Sequence, residues 1–280
     1  MVAQQRKHDA ATNNIANLNT PGFKMNTVVQ RTFPEMLVSL VRANEREHTI
    51  GRLAGGVFAE ESLPLFMQGD VISTGNATDL ALVSDLGLPG IAFDSSGRGV
   101  NAQGERVYQP QAFFTVQGAG GEERYTRDGK FSIDDNGNWV SPTGYLLIGV
   151  NGQPVNIGDH PGDVFIAEGG QIMDTLTGLQ LAGPNGEPLA LRISVIENPY
   201  DLIREGDGNF RLDEGAPPAR LLAAGENAQI MQGYMERSNV DAATATVDMM
   251  TAARAYEANQ KIIQYYDRSL EKAVNEVGRV

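Results

Sequence analysis

The chain has 280 residues, is 41% hydrophobic, and carries 22 basic against 35 acidic groups for a formal charge of −13. That length and apolar content exclude a disordered chain and suffice for one or two cores, and its 32 glycines follow no triplet period, which excludes a collagen-like chain. No basic stripe exists to displace counterions from phosphates, which argues against nucleic acid, and the absence of cysteine removes disulfides and thiolate metal sites.

In chain order, Met1, His8, Ala11, Ile15 and Leu18 recur on a narrow, weakly apolar face, which predicts an N-terminal helix ending near Leu18 at the stop signal Thr20-Pro21-Gly22. Met1-Val2-Ala3-Gln4-Gln5 enters that pattern without an N-cap, so upstream residues are expected before it. Asn13, Asn14, Asn17 and Asn19 crowd the helix end, where they can satisfy orphan backbone groups locally or across to a neighbour. Residues 1–22 are read as the first domain and residues 23–68 as an extended linking subdomain. In the latter, Thr27-Val28-Val29 reads as a strand and Phe33-Pro34-Glu35-Met36-Leu37 as a short turn or helix. Gly51, Gly55-Gly56 and Pro64 interrupt it, and Arg31, Arg42, Arg46 and Arg52 form a solvated face or an intersubunit charge stripe.

Residues 69–232 read as a mostly antiparallel β domain of short strands. Strand signals fall at Leu80-Ala81-Leu82-Val83, Ala112-Phe113-Phe114-Thr115-Val116, Val155-Asn156-Ile157, Asp163-Val164-Phe165-Ile166 and Leu191-Arg192-Ile193-Ser194-Val195. Phe131-Ser132-Ile133 is expected to pair with Trp139-Val140 through Asp134-Asp135-Asn136-Gly137-Asn138, since Asn-Gly between apolar positions is a strong hairpin cue. Residues 233–280 are read as a C-terminal helix that Ser238 and Asp241 open as a capping box. Met249, Tyr256, Ile263, Leu270 and Val277 repeat in heptads, with Ala245, Ala252, Tyr266 and Ala273 on a second seam and Asn259 as its polar exception. About 37 residues at 1.5 Å each give a rod of roughly 55 Å. One short first helix cannot cover that length. The fold class is therefore α+β, with discontinuous, coiled-coil-like terminal helices flanking the β domain.

Charge follows the same division. Residues 1–66 carry 7 basic and 6 acidic groups and residues 234–280 carry 6 and 7, so the remaining 9 and 22 lie in residues 67–233. Near-neutral ends can pack in many copies while the acidic centre keeps the monomer soluble. No run of about eighteen apolar residues is present to cross a bilayer, and the N-terminus lacks the pattern of a cleaved signal.

No catalytic constellation emerges. His8, His48 and His160 share no metal-ligand spacing. Asp134-Asp135-Asn136-Gly137 lacks the alternating oxygen ligands and closing Glu of a calcium loop and reads as a turn. Gly118-Ala119-Gly120-Gly121 is followed by Glu122-Glu123 and a strand, which does not suit a phosphate cradle. We assign no catalytic residue, cofactor or metal site.

Four stretches in this order carry a family resemblance: Asn13-Asn14-Ile15-Ala16-Asn17-Leu18-Asn19-Thr20-Pro21-Gly22-Phe23-Lys24; Thr74-Gly75-Asn76 with Asp79-Leu80-Ala81; Tyr125-Thr126-Arg127-Asp128-Gly129-Lys130-Phe131; and Gln232 to Asp241 with Arg254-Ala255-Tyr256-Glu257-Ala258-Asn259-Gln260-Lys261. Together they resemble the bacterial flagellar hook-basal body rod proteins, the axial family that includes the hook and hook-associated proteins. Chain length and the Phe23–Phe66 linker look like the distal rod type rather than the proximal rod or hook type. The N-terminal helix of the family usually starts earlier than here, and the interval Ser84–Gln111 is longer than usual.

The resemblance implies terminal helices packed into an inner helical tube that transmits torque and conducts export substrates. It also implies an outward β domain and export through the flagellar type III apparatus to the basal body, outside the cytoplasmic membrane. Partners would be further copies of the chain in an open helical homopolymer, other rod and hook proteins and the export apparatus. The expected assembly residues are Asn13, Asn14, Ile15, Asn17, Leu18, Asn19, Met249, Tyr256, Ile263, Tyr266, Leu270 and Val277. On the acidic, turn-rich middle alone, a secreted glycan-binding β module remains a competing reading.

Overall fold

A computed structural model describes residues 1–32, 36–40, 48–53, 56–94, 96–158, 164–183, 186–223 and 225–277. Phe33-Pro34-Glu35, Arg42, Arg46, Gly55, His160 and Asp163 lie outside these residues, as do the side chains of His48, Arg52 and Val277. The chain forms two compact units, one of Met1–Ala16, Asn26–Pro64 and Asp241–Val280, the other of Asn17–Met25 and Leu65–Val240.

Every strand ladder among the described residues of the second, β unit is antiparallel. Its organising strand is Gln111–Gln117, which pairs with Glu123–Thr126, Leu146–Leu147 and Ile193–Ile196. Because side chains alternate across a strand, Ala112, Phe114 and Val116 enter a large cluster with Leu80, Trp139, Leu147, Ile172 and Val195. Phe113 enters a smaller cluster on the other face with Phe66, Tyr125, Leu202 and Phe210. Burial on both faces explains why this strand reads as a continuous apolar run.

The Asn-Gly hairpin forms in the expected register, Ile133 opposite Trp139 and Ser132 opposite Val140. Asp134 is spent on the turn: Oδ1 accepts from the amides of Asn136 (2.9 Å) and Asn138 (2.7 Å). The same device recurs more widely than one dipeptide signals. Among the described residues, eight turns, starting at Asp94, Asn101, Gly118, Asp134, Ser141, Gly149, Ala167 and Gly183, share one pattern: the first amide donates to the fifth carbonyl, and the amide of a fourth-position glycine donates back to the first carbonyl. Those glycines all have φ between 72° and 85°, the left-handed geometry of a bulged hairpin. Two of these turns, starting at Asp94 and Asn101, lie within the Ser84–Gln111 interval, whose strands Arg98–Val100 and Arg106–Tyr108 pair, with Tyr108 against Tyr200 at 4.8 Å.

Several boundaries differ from the sequence reading. Helix α1 spans Val2–Ala16 and gives way to hydrogen-bonded turns before Leu18, where Thr20 N–H donates to the Asn17 carbonyl. Val155-Asn156-Ile157 forms no ladder among the described residues: Asn156 bridges Asn138, and Pro154 just before it bridges Ile148. Met36 and Leu37 belong to strand Met36–Leu40, paired with His48–Leu53, rather than to a turn or helix. Residues 23–68 divide between the units: Asn26–Thr32 pairs with Val57–Pro64 in the first, while Phe23–Met25 and Leu65–Gln68 belong to the second.

The C-terminal segment read as helix from residue 233 instead begins with strand Tyr234–Glu236, paired with Val71–Ser73. Helix α2 starts only at Ala242 and runs to Lys272, followed by a π-helical turn, Ala273–Val277. No capping box forms. Asp241 alone caps the helix, accepting from Thr244 N–H at 2.6 Å, because Ser238 lies in the extended link and its Oγ accepts from Val240 N–H at 3.3 Å.

Candidate assembly surface

Helix α2 combines a charged cap, many alanines and no Gly or Pro from residue 242 to 276, which favours an unbroken helix. Its 31 residues rise roughly 46 Å, while the 15 of α1 rise roughly 22 Å. In the helical unit α1 packs against α2 and against the Asn26–Thr32/Val57–Pro64 ribbon. Ala11, Ala245 and Ala252 are buried there, Met249 and Tyr256 half-buried. Gln5, His8 and Asp9 share a cavity with Ala253, Tyr256 and Glu257, and Lys7 pairs with Asp248 at 3.3 Å.

Beyond Gln260 every described side chain of α2 is exposed. Ile263 is 46% exposed, Tyr266 67%, Leu270 63% and Val274 71%. At about 100° per residue, Ile262, Ile263, Tyr266, Leu270 and Val274 fall within the same arc of roughly 140° that holds Ala245, Met249, Ala252 and Tyr256. One apolar stripe therefore runs the length of α2. Its first part is covered within the chain and its last part is open.

The remaining residues expected at an interface are placed differently. Asn14 is buried and faces its own chain: Nδ2 donates to the Asn26 carbonyl (2.9 Å) and Oδ1 accepts from Asn26 N–H (2.8 Å). Asn13 Oδ1 accepts from Asn26 Nδ2 at 3.2 Å, and Asn17 Oδ1 accepts from the Thr20 hydroxyl at 3.2 Å. Ile15 and Leu18 are half-buried and Asn19 is exposed.

Sequence reasoning missed a buried ionic cluster in the β unit. Lys24, Arg127 and Glu236 are each at most 2% exposed. Lys24 Nζ donates to Glu236 Oε1 (2.6 Å) and the Met67 carbonyl (2.7 Å), Gly69 N–H donates to the same carboxylate oxygen (2.8 Å), and Arg127 Nε lies 3.3 Å from Oε2. Arg127 also donates to the Ala112 carbonyl and to Gln68 Oε1. Burial lowers the Lys24 pKa to about 8. Burial opposes the Glu236 charge, but Arg127 and Lys24 more than offset it and hold its pKa below the usual value. Gly22 is required beside the cluster, since a Cβ there would stand 2.3 Å from the Arg127 carbonyl. The available signal was a charged residue inside each glycine-flanked motif, Gly22-Phe23-Lys24 and Gly233-Tyr234-Met235-Glu236.

Three stretches match families described as Flagella basal body rod protein (residues 1–24), Flagellar hook protein FlgE/F/G D1 domain (109–173) and Flagellar basal body rod FlgEFG protein C-terminal (231–276). The flagellar hook-basal body complex protein FlhO of Bacillus subtilis is 33% identical over 286 residues, covering 100% of this chain and 96% of the relative. The chain belongs to the flagellar basal-body rod and hook protein family. Flagellar basal-body rod proteins FlgG of Caulobacter vibrioides and Bacillus subtilis are 30% and 28% identical, covering 97% of this chain in each case and 94% and 93% of themselves. As a rod and hook family member it is a structural component of the flagellar basal body. Among the described residues no helix is long and apolar enough to cross a membrane, and no three His, Asp or Glu side chains gather to hold a metal.

Proposed function

We propose that this chain is a distal rod subunit that polymerises through its terminal helices into a hollow tube, which transmits torque and conducts exported proteins. The observation that carries this reading is the α2 stripe, which continues from Met249 and Tyr256 into the open residues Ile263, Tyr266 and Leu270. A repeating apolar seam left open on a folded monomer calls for another helix of the same kind. Similarity to rod proteins named FlgG over nearly the whole chain supports the distal type. The acidic β unit faces outward in this reading, the other rod and hook proteins are neighbours along the axis, and the chain leaves the cytoplasm through the flagellar export apparatus. Its role is structural and involves no catalysis.

Cysteines introduced at Ile263 and Leu270 in a motile host, treated with a short bismaleimide in purified basal bodies, test the reading. Chain-to-chain products at both positions are expected. Products confined to single chains would refute it.

A further inference from the structure

One turn of the β unit holds apolar side chains out in water. Strand Val164–Ile166 pairs with Ile172–Asp174, and the chain then turns through Thr175-Leu176-Thr177-Gly178 to Leu179. Asp174 closes that turn. Its Oδ1 accepts from the amides of Leu176 (2.7 Å) and Thr177 (3.1 Å), its carbonyl accepts from Gly178 N–H (2.8 Å), and its own N–H donates to the Leu179 carbonyl (2.9 Å). Gly178, at φ 65°, takes the left-handed position that this closure requires. The fixed backbone keeps the turn from collapsing over its side chains, and Leu176 is 81% and Leu179 70% exposed. Residues 175–183 carry no charge.

The same unit carries a groove of about 570 Å³, lined by Ala77, Phe165, Met231 and Tyr234, with Glu168 the only charged residue among the described residues that line it. Gln232, which also lines it, decides what the groove can take. Its Nε2 donates to the carbonyls of Val164 (2.9 Å) and Ala77 (2.8 Å), and its Oε1 accepts from Ile166 N–H (2.9 Å). One side-chain amide thus fills the place along Val164–Ile166 that an added strand would use, which closes that edge to strand pairing. What the groove still offers is side-chain surface, with Phe165 53% exposed. It suits a short apolar projection rather than an extended peptide.

We propose that Leu176 and Leu179 of one copy of this chain dock in the groove lined by Phe165, Met231 and Tyr234 of a second copy. Charge selects that partner. With 23 acidic and 11 basic groups, the β units of two copies repel over most of their surfaces, and approach costs least where both are uncharged. The turn and the groove are such places, one projecting and one concave. Within its own chain the turn does not fill the groove, as the exposures of Leu176, Leu179 and Phe165 show. Because the contact joins two different patches, each copy keeps one of them free, and contacts run on from copy to copy without closing. A patch of two leucines is far smaller than a stable interface, so it orients copies that the α2 seam has already brought close. For that setting the contact rests on the function proposed above.

The chain has no cysteine, so introduced pairs report without background from it. Gln229 is exposed and lines the groove. Gln229→Cys is combined with Leu176→Cys in one full-length variant and with Leu179→Cys in another, and basal bodies purified from motile hosts are treated with a short bismaleimide. Both double variants should give a ladder of dimers, trimers and longer products, and each single variant the monomer alone. Dimers from Leu176→Cys or Leu179→Cys alone would mean that turns meet each other and would overturn the proposal, as would capture of a different protein by the turn. Absence of the ladder overturns it as well. The Ile263 and Leu270 cysteines decide the proposed function separately: their products without the ladder leave that function standing and remove this contact, and the ladder without their products does the reverse.

Discussion

In the β unit Phe113, Phe114, Leu147 and Val116 are fully buried, whereas in the helical unit Tyr266, Leu270 and Val274 are mostly open. The charges differ as well: the β unit carries 11 basic and 23 acidic groups, the helical unit 11 and 12. The β unit has a closed core under an acidic surface, and its exposed apolar side chains, such as Val100, Phe165 and Leu176, are scattered rather than aligned in one seam. A nearly neutral unit with half an apolar stripe uncovered has apolar surface left to bury against another molecule. Under the proposed function, the contrast teaches that monomer stability and assembly can be perturbed separately.

The widest separation is expected between two core-like substitutions. Phe114→Ala should lower the unfolding free energy of the monomer by about 3–5 kcal/mol, because a wholly buried ring leaves a cavity. Leu270→Ala should change it by less than about 0.5 kcal/mol, since the side chain is open and both residues favour helix, while weakening polymerisation. Urea denaturation and sedimentation of the same two variants would measure both effects. A Leu270→Ala monomer as destabilised as the Phe114→Ala one would erase the comparison.

Within the β unit, the buried cluster makes an asymmetric prediction. Glu236→Gln leaves two buried cations without an anion and should cost about 3–5 kcal/mol, whereas Lys24→Met leaves the Arg127–Glu236 pair intact and should cost clearly less. Equal losses in urea denaturation would mean that the cluster does not behave as one anion between two cations.

The same cluster predicts how stability varies with pH. Lys24 falls from 10.5 to about 8 on folding, so between these values the unfolded chain binds more protons and this group makes stability rise with pH, by at most about 1.4 kcal/mol per unit. Its unfavourable contribution is fully present below pH 8 and gone above 10.5. Asp128 acts in a lower window and in the opposite sense. Burial raises its pKa from 3.8 to about 6, so its contribution is present below 3.8 and lost as pH rises through 6. Subtracting the profile of Lys24→Met from that of the parent chain should leave the alkaline slope and cancel the acidic one, which both chains share.

The sequence made the coarse architecture legible through period and punctuation. The Gln111–Gln117 run, the Asn136-Gly137 hairpin and the alanine-rich final helix all announce themselves locally. The positions Met249, Tyr256, Ile263 and Leu270 were legible as one apolar face of α2, but not where its cover ends, because that depends on the length of α1 and on how it packs. Lys24, Arg127 and Glu236 were hidden because each pairs across a long sequence separation, 212 residues for Lys24 with Glu236. A lone charge in a motif looks the same whether it faces solvent or a buried partner. Asn14 was misleading for the same reason: its amide could serve a neighbour or its own chain, and only the position of Asn26 decides between them.

The smallest effect tests how weakly the helical unit is held before it assembles. Lys7 and Asp248 form an ion pair with side chains 39% and 48% exposed. A double-mutant cycle with Lys7→Ala and Asp248→Ala should give a coupling of about 0.2–1 kcal/mol at low salt. In 1 M salt, where the screening length is about 3 Å, it should fall toward zero. Amide exchange in α1 would report the same loosening without requiring global unfolding. A coupling that survived high salt would mean that the pair is shielded from solvent, and the helical unit would then be more nearly complete in the monomer than its open stripe implies.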